Sequence, residues 1–325
     1  MIDTAKLIAE SPDNFVIQNA LLRCAEVIDS HNKIMCSVSG GADSDVMLDM
    51  IIRCGGKEKT TFVFFDTGLE YAATKEHIGY LEGKYHIEVV KEKPAKPIPT
   101  SCKEYGVPFW SKFASDMIYR LQKHGFQWED EPYDVLTKRY PNCKTALVWW
   151  CGVKKGNTTQ YTIDQVPYLK EYMVHNHPTF QISDKCCKYA KKSPAHNFER
   201  RGKFDLACIG VRRAEGGVRA NAYKNCFSEI VSGADQFRPI FWVRDADKEC
   251  YCEHYAIEHS RCYSEYGLKR TGCFGCPFGK TFEDELSAIE KYEPRLLNAA
   301  TAIFGESYQY TRAFLNFRKE AKMKG

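Results

Sequence analysis

The segment Ser39-Gly40-Gly41-Ala42-Asp43-Ser44 crowds small, hydroxyl and acidic residues between two apolar patterns. Ahead of it, Lys33-Ile34-Met35-Cys36-Ser37-Val38 is an apolar run of strand length. Behind it, Met47, Met50, Ile51 and Cys54 recur at helical spacing before Gly55-Gly56 stops the pattern. The segment therefore reads as a strand, a tight glycine turn and a helix N-terminus. Such a turn suits anions, phosphate above all, because amide N–H groups converge where the helix dipole is positive. Gly40 and Gly41 permit close backbone approach, and the hydroxyls of Ser39 and Ser44 add hydrogen bonds. An ordinary strand-to-helix connection shares these features, so the loop alone does not choose between the two.

Cysteines are the second chemical signal. The chain has 15 of them, an odd number, and in a reducing compartment packing, metal ligation or redox chemistry are the expected roles. Cys24, Cys36, Cys54 and Cys208 lie inside apolar runs and read as small buried hydrophobes. Two pairs do not. Cys186-Cys187 sits in a polar, basic stretch, and Cys273 and Cys276 form a CxxC knuckle flanked by glycines and followed by Pro277. Four thiolates suit tetrahedral zinc or a 4Fe–4S cluster. Adjacent cysteines favour the cluster, because neighbouring thiolates must splay to different irons, whereas zinc knuckles place spacer residues between ligands. Cys250 and Cys252 are two apart on an expected helix, hence roughly 200° apart around its axis. His254 and His259 flank the end of that helix with no carboxylate or cysteine partner identifiable from the sequence.

The elements that must hold these groups alternate. Residues 1–32 read as helical, with Leu21, Leu22, Ala25 and Ile28 on one face. Residues 60–68 form a buried strand ending in Asp66-Thr67-Gly68, residues 70–85 a helix and 86–92 another strand. This order indicates an α/β fold with a parallel sheet. Ligands in such sheets bind at the carboxyl ends of the strands, which brings the glycine loop and Asp66-Thr67-Gly68 to one edge. Residues 94–180 interrupt the rhythm with a proline-rich exit and four of the five tryptophans, Trp110, Trp128, Trp149 and Trp150. That stretch reads as an insertion with its own core; the tryptophans suit packing better than base stacking. Residues 203–213 resume as a strand entering a basic loop. Arg238–Val243 reads as a short strand before a helix with Asp245 or Asp247 near its N-cap. Residues 282–325 read as two helices broken near Pro294. The expected organisation is one domain over 1–281, with the insertion inside it, and a helical tail over 282–325.

Composition narrows the function class. Hydrophobic content of 44%, charged content of 27% and a net charge of +4 describe an ordinary globular chain with no strong general affinity for nucleic acid. Lys and Arg do gather in 185–192, 199–203 and 210–213, which suggests an anionic ligand or partner. No apolar run approaches the roughly 18 residues of a membrane helix, and the N-terminus carries no secretory pattern. The expected location is cytoplasmic, with no membrane partner.

Several motifs converge on one family. Residues 39–44 resemble the phosphate loop of the PP-loop ATP pyrophosphatases, within the adenine nucleotide alpha-hydrolase-like superfamily. The Phe64-Phe65-Asp66-Thr67-Gly68 stretch resembles the second-strand motif of the phosphoadenosine phosphosulfate (PAPS) reductase family. Cys186, Cys187, Lys191 and Pro194 are similar to its CCxxxKxxP, and Gly210, Arg212 and Glu215 match its GxRxxES. Residues 238–278 follow its closing pattern into CxxC. The resemblance spans about residues 33–278 in the family's order, with 94–180 longer than expected. It implies an adenine nucleotide at the sheet edge: amides around Ser39–Ser44 on phosphate or sulfate, Phe64–Asp66 with Thr67 and Gly68 along the adenosine, and Lys191, Arg212, Arg213 and Glu215 around the anionic end. Asp43, Arg212 and Arg213 are the implied catalytic groups. Cys186, Cys187, Cys273 and Cys276 correspond to the 4Fe–4S signature of adenylyl-sulfate reductases and of DNA-phosphorothioation ATP pyrophosphatases.

Two departures matter. Sulfonucleotide reductases carry a nucleophilic cysteine near the C-terminus, and this chain has no cysteine after Cys276. Gly216 stands where the family often has Ser. The resemblance therefore favours an enzyme that cleaves ATP to AMP and pyrophosphate with Mg²⁺, adenylating a target for sulfur transfer. A sulfur-donor protein and a nucleic-acid acceptor are the implied partners. The alternatives are an adenylyl-sulfate or PAPS reductase using an external or displaced thiol, and a non-catalytic nucleotide and cluster sensor.

Overall fold

The computed structural model describes residues 2–153, 161–216, 222–278 and 282–324. It divides into two compact units, one made of Met1–Ala95 with Ala190–Cys273, the other of Lys96–Tyr189 with Phe274–Gly325. The tail expected to stand alone groups with the insertion.

The first unit is a mostly parallel α/β sheet flanked by helices. Helices α1 (Thr4–Ala9) and α2 (Phe15–Asp29) precede β1 (Ile34–Val38), α3 (Ala42–Arg53), β2 (Thr60–Phe65), α4 (Ala72–Tyr85) and β3 (Val89–Glu92). After Ala190 come a Ser193–Gly202 helix, β4 (Leu206–Cys208), β5 (Phe227–Ser228), β6 (Asp235–Phe237) and an Asp245–His254 helix. The strand order is β3-β2-β1-β4-β6-β5, every pair parallel except β5 with β6. Central β1 is apolar on both faces because helices cover both, the usual state of a parallel sheet. Cys36 pairs with Phe62 on one side and Cys208 on the other. Helix α2 starts where the Asn14 side chain accepts the Ile17 amide, and it buries Ile17, Leu21, Cys24 and Ile28. Cys24, Cys36, Cys54 and Cys208 all lie in this core, as small hydrophobes should.

One strand is displaced from its expected position. Arg238–Val243 is not the strand; Asp235–Phe237 is. Pro239 has no amide to give, and the Arg238 amide donates to the Cys226 carbonyl at 2.7 Å, so the ladder ends at Phe237. The following helix begins as expected, with the Asp247 carboxylate accepting the Arg244 amide at 3.0 Å.

The second unit is helical. It contains α5 (Ile98–Tyr105), α6 (Lys112–Lys123), α7 (Tyr133–Arg139), α8 (Lys144–Trp150), α9 (Leu169–His175) and two helices over Phe282–Tyr292 and Pro294–Lys324. Its core joins Phe109, Ile118, Leu147, Trp150, Met173 and, from the last helix, Phe314. Trp110, Trp128, Trp149 and Trp150 are all buried there, so they pack. Among the described residues no helix is long and apolar enough to cross a membrane.

Candidate functional site

The loop between β1 and α3 lies at the carboxyl end of the central strand. The strand order, not the strand direction, switches between β1 and β4, where strands added after β1 go to one side and β4 to the other; open α/β sheets take ligands in the crevice at such a point. Gly40 has φ +65°, and a Cβ there would stand 3.0 Å from Thr74 Cγ2, so the turn requires glycine. Within the turn, the Ser39 amide donates to Ser44 Oγ at 2.9 Å and the Ala42 amide to the Tyr263 hydroxyl at 3.1 Å. Ser44 is buried in this internal contact, whereas the Ser39 side chain is exposed. Gly210, just beyond β4, comes against the same loop: a Cβ on it would meet Asp43 O and Ser44 Cα at 3.4 Å.

Charge converges on this edge. Asp43 Oδ1 accepts from Arg212 Nε at 2.8 Å and Lys248 Nζ at 2.9 Å. Arg212 also pairs with Asp245 at 2.9 Å and is only 5% exposed. Burial opposes its charge, but Asp43 and Asp245 outweigh that and leave its pKa raised. Arg212 is thus locked among carboxylates, while Arg213 is exposed with its guanidinium 5.3 Å from the Trp242 ring. Glu215 has a structural position: its carboxylate accepts the Arg212 amide at 3.0 Å and starts a short 3₁₀ turn. The stretch 217–221 that follows Gly216 lies outside the described residues.

At the end of β2, the Gly68 amide donates to Asp66 Oδ1 at 2.9 Å, and Lys75 stands 3.8 Å from the same oxygen. The Phe64 ring belongs to the sheet core, so only its backbone faces the edge. Thr67 is buried; its amide and hydroxyl both donate to Glu70, the hydroxyl at 2.7 Å. Asp66 and Glu70 form a carboxyl pair. Burial first, and then the hydrogen bond to Asp66, raise the Glu70 pKa against the opposing pull of Thr67 and Lys191. Burial also works against Asp66, yet Glu70, the Gly68 amide and Lys75 outweigh it and lower its pKa. Lys191 lies in the π-helical turn, Lys188–Lys192, that follows the cysteine pair. Such turns interrupt regular helices often at functional positions.

The four cysteines fall on both sides of the division: Cys186, Cys187 and Cys276 in the second unit, Cys273 at the end of the first. In the second unit Cys186 is surrounded by sulfur. A hydrogen bond with Cys102 raises its thiol pKa most, Cys187 opposes this, and burial and Cys276 add to the rise. Gly275 in the knuckle has φ +61°, and an added Cβ would come within 2.6 Å of the Tyr308 hydroxyl. In the first unit, Cys273 Sγ is 3.5 Å from the Thr67 hydroxyl and bridges Glu70 along the backbone. The thiol chemistry suits iron or zinc, but among the described residues no group of three or more His, Cys, Asp or Glu side chains is disposed to hold a metal ion. No step of a reaction is therefore assigned to one.

Sequence reasoning missed Lys248, Tyr263, Glu70 and Cys102. Glu70 alone carried a local signal, being three residues after Thr67 within the strand motif. Tyr263 and Lys248 meet the loop from 221 and 205 residues away, and nothing in their own neighbourhood marks them.

Residues 33–155 match the family model of the phosphoadenosine phosphosulfate reductase domain. An uncharacterized protein of Methanocaldococcus jannaschii is 35% identical over 75 residues, 23% of this chain; the match spans only 15% of that relative's own length. Among solved structures, the chain is similar to a Candida auris PAPS reductase in complex with phosphate, at 14% identity and a TM-score of 0.43, covering 78% of this chain and 86% of that one. It is also similar to a Methanococcus maripaludis U34-tRNA thiolase with its 4Fe–4S cluster, at 11% identity and a TM-score of 0.38, covering 92% of this chain and 78% of that one.

Proposed function

We propose, from the match of residues 33–155 to the PAPS reductase domain, that this chain binds an adenine nucleotide at the β1–β4 edge and cleaves ATP to AMP and pyrophosphate. The adenylate formed on an acceptor is then open to displacement by a sulfur donor. The observation that carries the reading is the meeting of two loops, Ser39–Ser44 after β1 and Gly210–Arg213 after β4, at the point where the strand order switches.

Each residue has a task in this reading. The exposed Ser39 hydroxyl and the backbone of Gly40 and Gly41 cradle the β- and γ-phosphates. Asp43, fixed by Arg212 and Lys248, is the carboxylate offered to Mg²⁺, which when bound supplies positive charge to the departing pyrophosphate. Arg213, exposed beside it in sequence, is the mobile cation that neutralises charge as it develops. Thr67, Gly68 and the backbone of Phe64 border the nucleoside, with Asp66 ionised among them. Cys186, Cys187, Cys273 and Cys276 are the proposed ligands of a 4Fe–4S cluster, with zinc the alternative, and no step of the reaction runs through it. The adenylated acceptor, a sulfur-donor protein and a nucleic-acid acceptor belong to the same proposal, in the cytoplasm.

The domain match itself favours a second reading, a reductase of adenylyl sulfate or PAPS that releases sulfite. One experiment separates the two. The anaerobically purified chain, its iron and labile sulfide measured, is incubated with Mg²⁺ and ATP, adenylyl sulfate or PAPS in turn. The expected result is pyrophosphate and AMP in equal amounts from ATP, with water taking the place of the absent acceptor, no sulfite from the others, and a drop of about 100-fold in kcat/KM for Ser39→Ala. Sulfite from a sulfonucleotide without pyrophosphate from ATP makes the second reading correct. Full activity in Ser39→Ala removes the loop from the reaction.

A further inference from the structure

From the first turn of α3, directly after the glycine loop, the first unit assembles a carboxylate, an imidazole and a thiol in series. Cys252 Sγ on the Asp245–His254 helix lies 3.5 Å from His259 Nε2. The other ring nitrogen, His259 Nδ1, is 2.9 Å from Asp45 Oδ2. Asp45 is fully buried, its Oδ2 is also 3.0 Å from His77 Nε2, and its Oδ1 has no hydrogen-bond partner among the described residues. A buried carboxylate so sparsely hydrogen-bonded needs a cation beside it. Burial alone would lower the His259 pKa, but the hydrogen bonds to Asp45 and Cys252 override it and push it up to about 9. The ring of His259 also lines a cavity of about 200 Å³, together with His77, Tyr80, Glu258, Ser260 and Arg261. Cys252 itself is partly exposed.

We propose that Cys252, His259 and Asp45 form a nucleophilic thiol site that exchanges with low-molecular-weight disulfides. Asp45 accepts the hydrogen bond from Nδ1–H and fixes the ring so that Nε2, carrying the other proton, faces the sulfur, the order of groups that activates a cysteine. The Cys252 thiolate attacks one sulfur of the disulfide. A new S–S bond forms as the old one breaks, and the leaving thiolate takes the proton held on His259 Nε2. The net change is one protein thiol and one disulfide giving a mixed disulfide and one free small thiol. The site is independent of the nucleotide reading and stands if that reading fails.

Cys250, on the same helix and also partly exposed, is the internal reference. The full chain is treated at pH 7 with limiting iodoacetamide, and separately with cystine, and the labelled cysteines are quantified by peptide mass spectrometry. Cys252 should react about tenfold faster than Cys250 with both probes, since only Cys252 has an imidazole nitrogen 3.5 Å from its sulfur. His259→Gln should bring the Cys252 rate down to that of Cys250 and leave Cys250 unchanged. Equal rates for the two cysteines in the wild-type chain overturn the proposal, as does a Cys252 rate that His259→Gln does not alter. If Cys250 also accelerates in the variant, the fold has opened. The wild-type pH–rate profile then decides: a Cys252 rate that depends on pH differently from that of Cys250 supports the pairing with His259, and one rising in parallel with Cys250 refutes it.

Discussion

His259 illustrates how a residue's chemistry depends on partners the chain brings from far away. It faces Asp45 at 2.9 Å from the first turn of α3, 214 residues earlier, and Cys252 one helix end away. In the folded chain its pKa rises from 6.5 to about 9. Protonated His259 therefore stabilises the fold fully below pH 6.5, and that contribution is lost as pH climbs through about 9. A urea midpoint measured at intervals over this window should fall with rising pH, and His259→Gln should flatten the fall. A wild-type midpoint that stays level across the window rules out the raised pKa. The sequence showed His259 as an unpartnered histidine because Asp45 lies 214 residues away and the helix that carries Cys252 ends at His254, so the seven-residue spacing to Cys252 is not a helical one. It likewise placed both Arg212, which matches the family motif, and Arg213 among the implied catalytic cations. Only packing separates them, burying Arg212 between Asp43 and Asp245 and leaving Arg213 in the open.

At the scale of elements, the β1–loop–α3 unit was legible because each of its parts follows a local rule. A β-branched and sulfur-bearing apolar run makes the strand, glycine the turn, and periodic Met and Ile the helix. Gly40 tests that rule. Its φ of +65° costs an L-residue about 1–2 kcal/mol, and a methyl would press on Thr74 Cγ2 at 3.0 Å. Gly40→Ala should lower the unfolding free energy by about 2 kcal/mol and weaken nucleotide binding more than Gly68→Ala, which carries the same kind of backbone strain at φ +81° but whose added Cβ would meet nothing within 4 Å. Titration calorimetry with a non-hydrolysable ATP analogue reads the second effect; equal affinity losses in the two variants would detach the phosphates from the Gly40 turn. Strands β5 and β6 were less legible. They have only two and three residues, too short to show a period, and the more apolar Pro239–Val243 run beside β6 forms turns instead of pairing.

For the whole molecule, the sequence marked residues 94–180 as an excursion with its own core but not where that core ends. The missing part is the last helix. Phe314 is fully buried with its ring 5.3 Å from Trp110 and 5.4 Å from Tyr172, and Ser307 donates to the Pro108 carbonyl at 2.6 Å. An aromatic residue on a late helix gives no sign of which earlier segment it will meet, so the grouping of 274–325 with 96–189 was invisible in one dimension. The pairing has a measurable consequence. Removing a buried phenylalanine ring costs about 3–5 kcal/mol, and four of the five tryptophans report on this unit while Trp242 belongs to the other. Phe314→Ala should shift the tryptophan-emission unfolding midpoint downward by more than any change in the unfolding of the sheet. The exposed Trp242 contributes little to the blue-shifted native emission, so far-ultraviolet β-signal followed alongside fluorescence distinguishes the two units. If both signals move together by the same amount, unfolding couples the units into one transition. If fluorescence does not move at all, the last helix is not part of the tryptophan core.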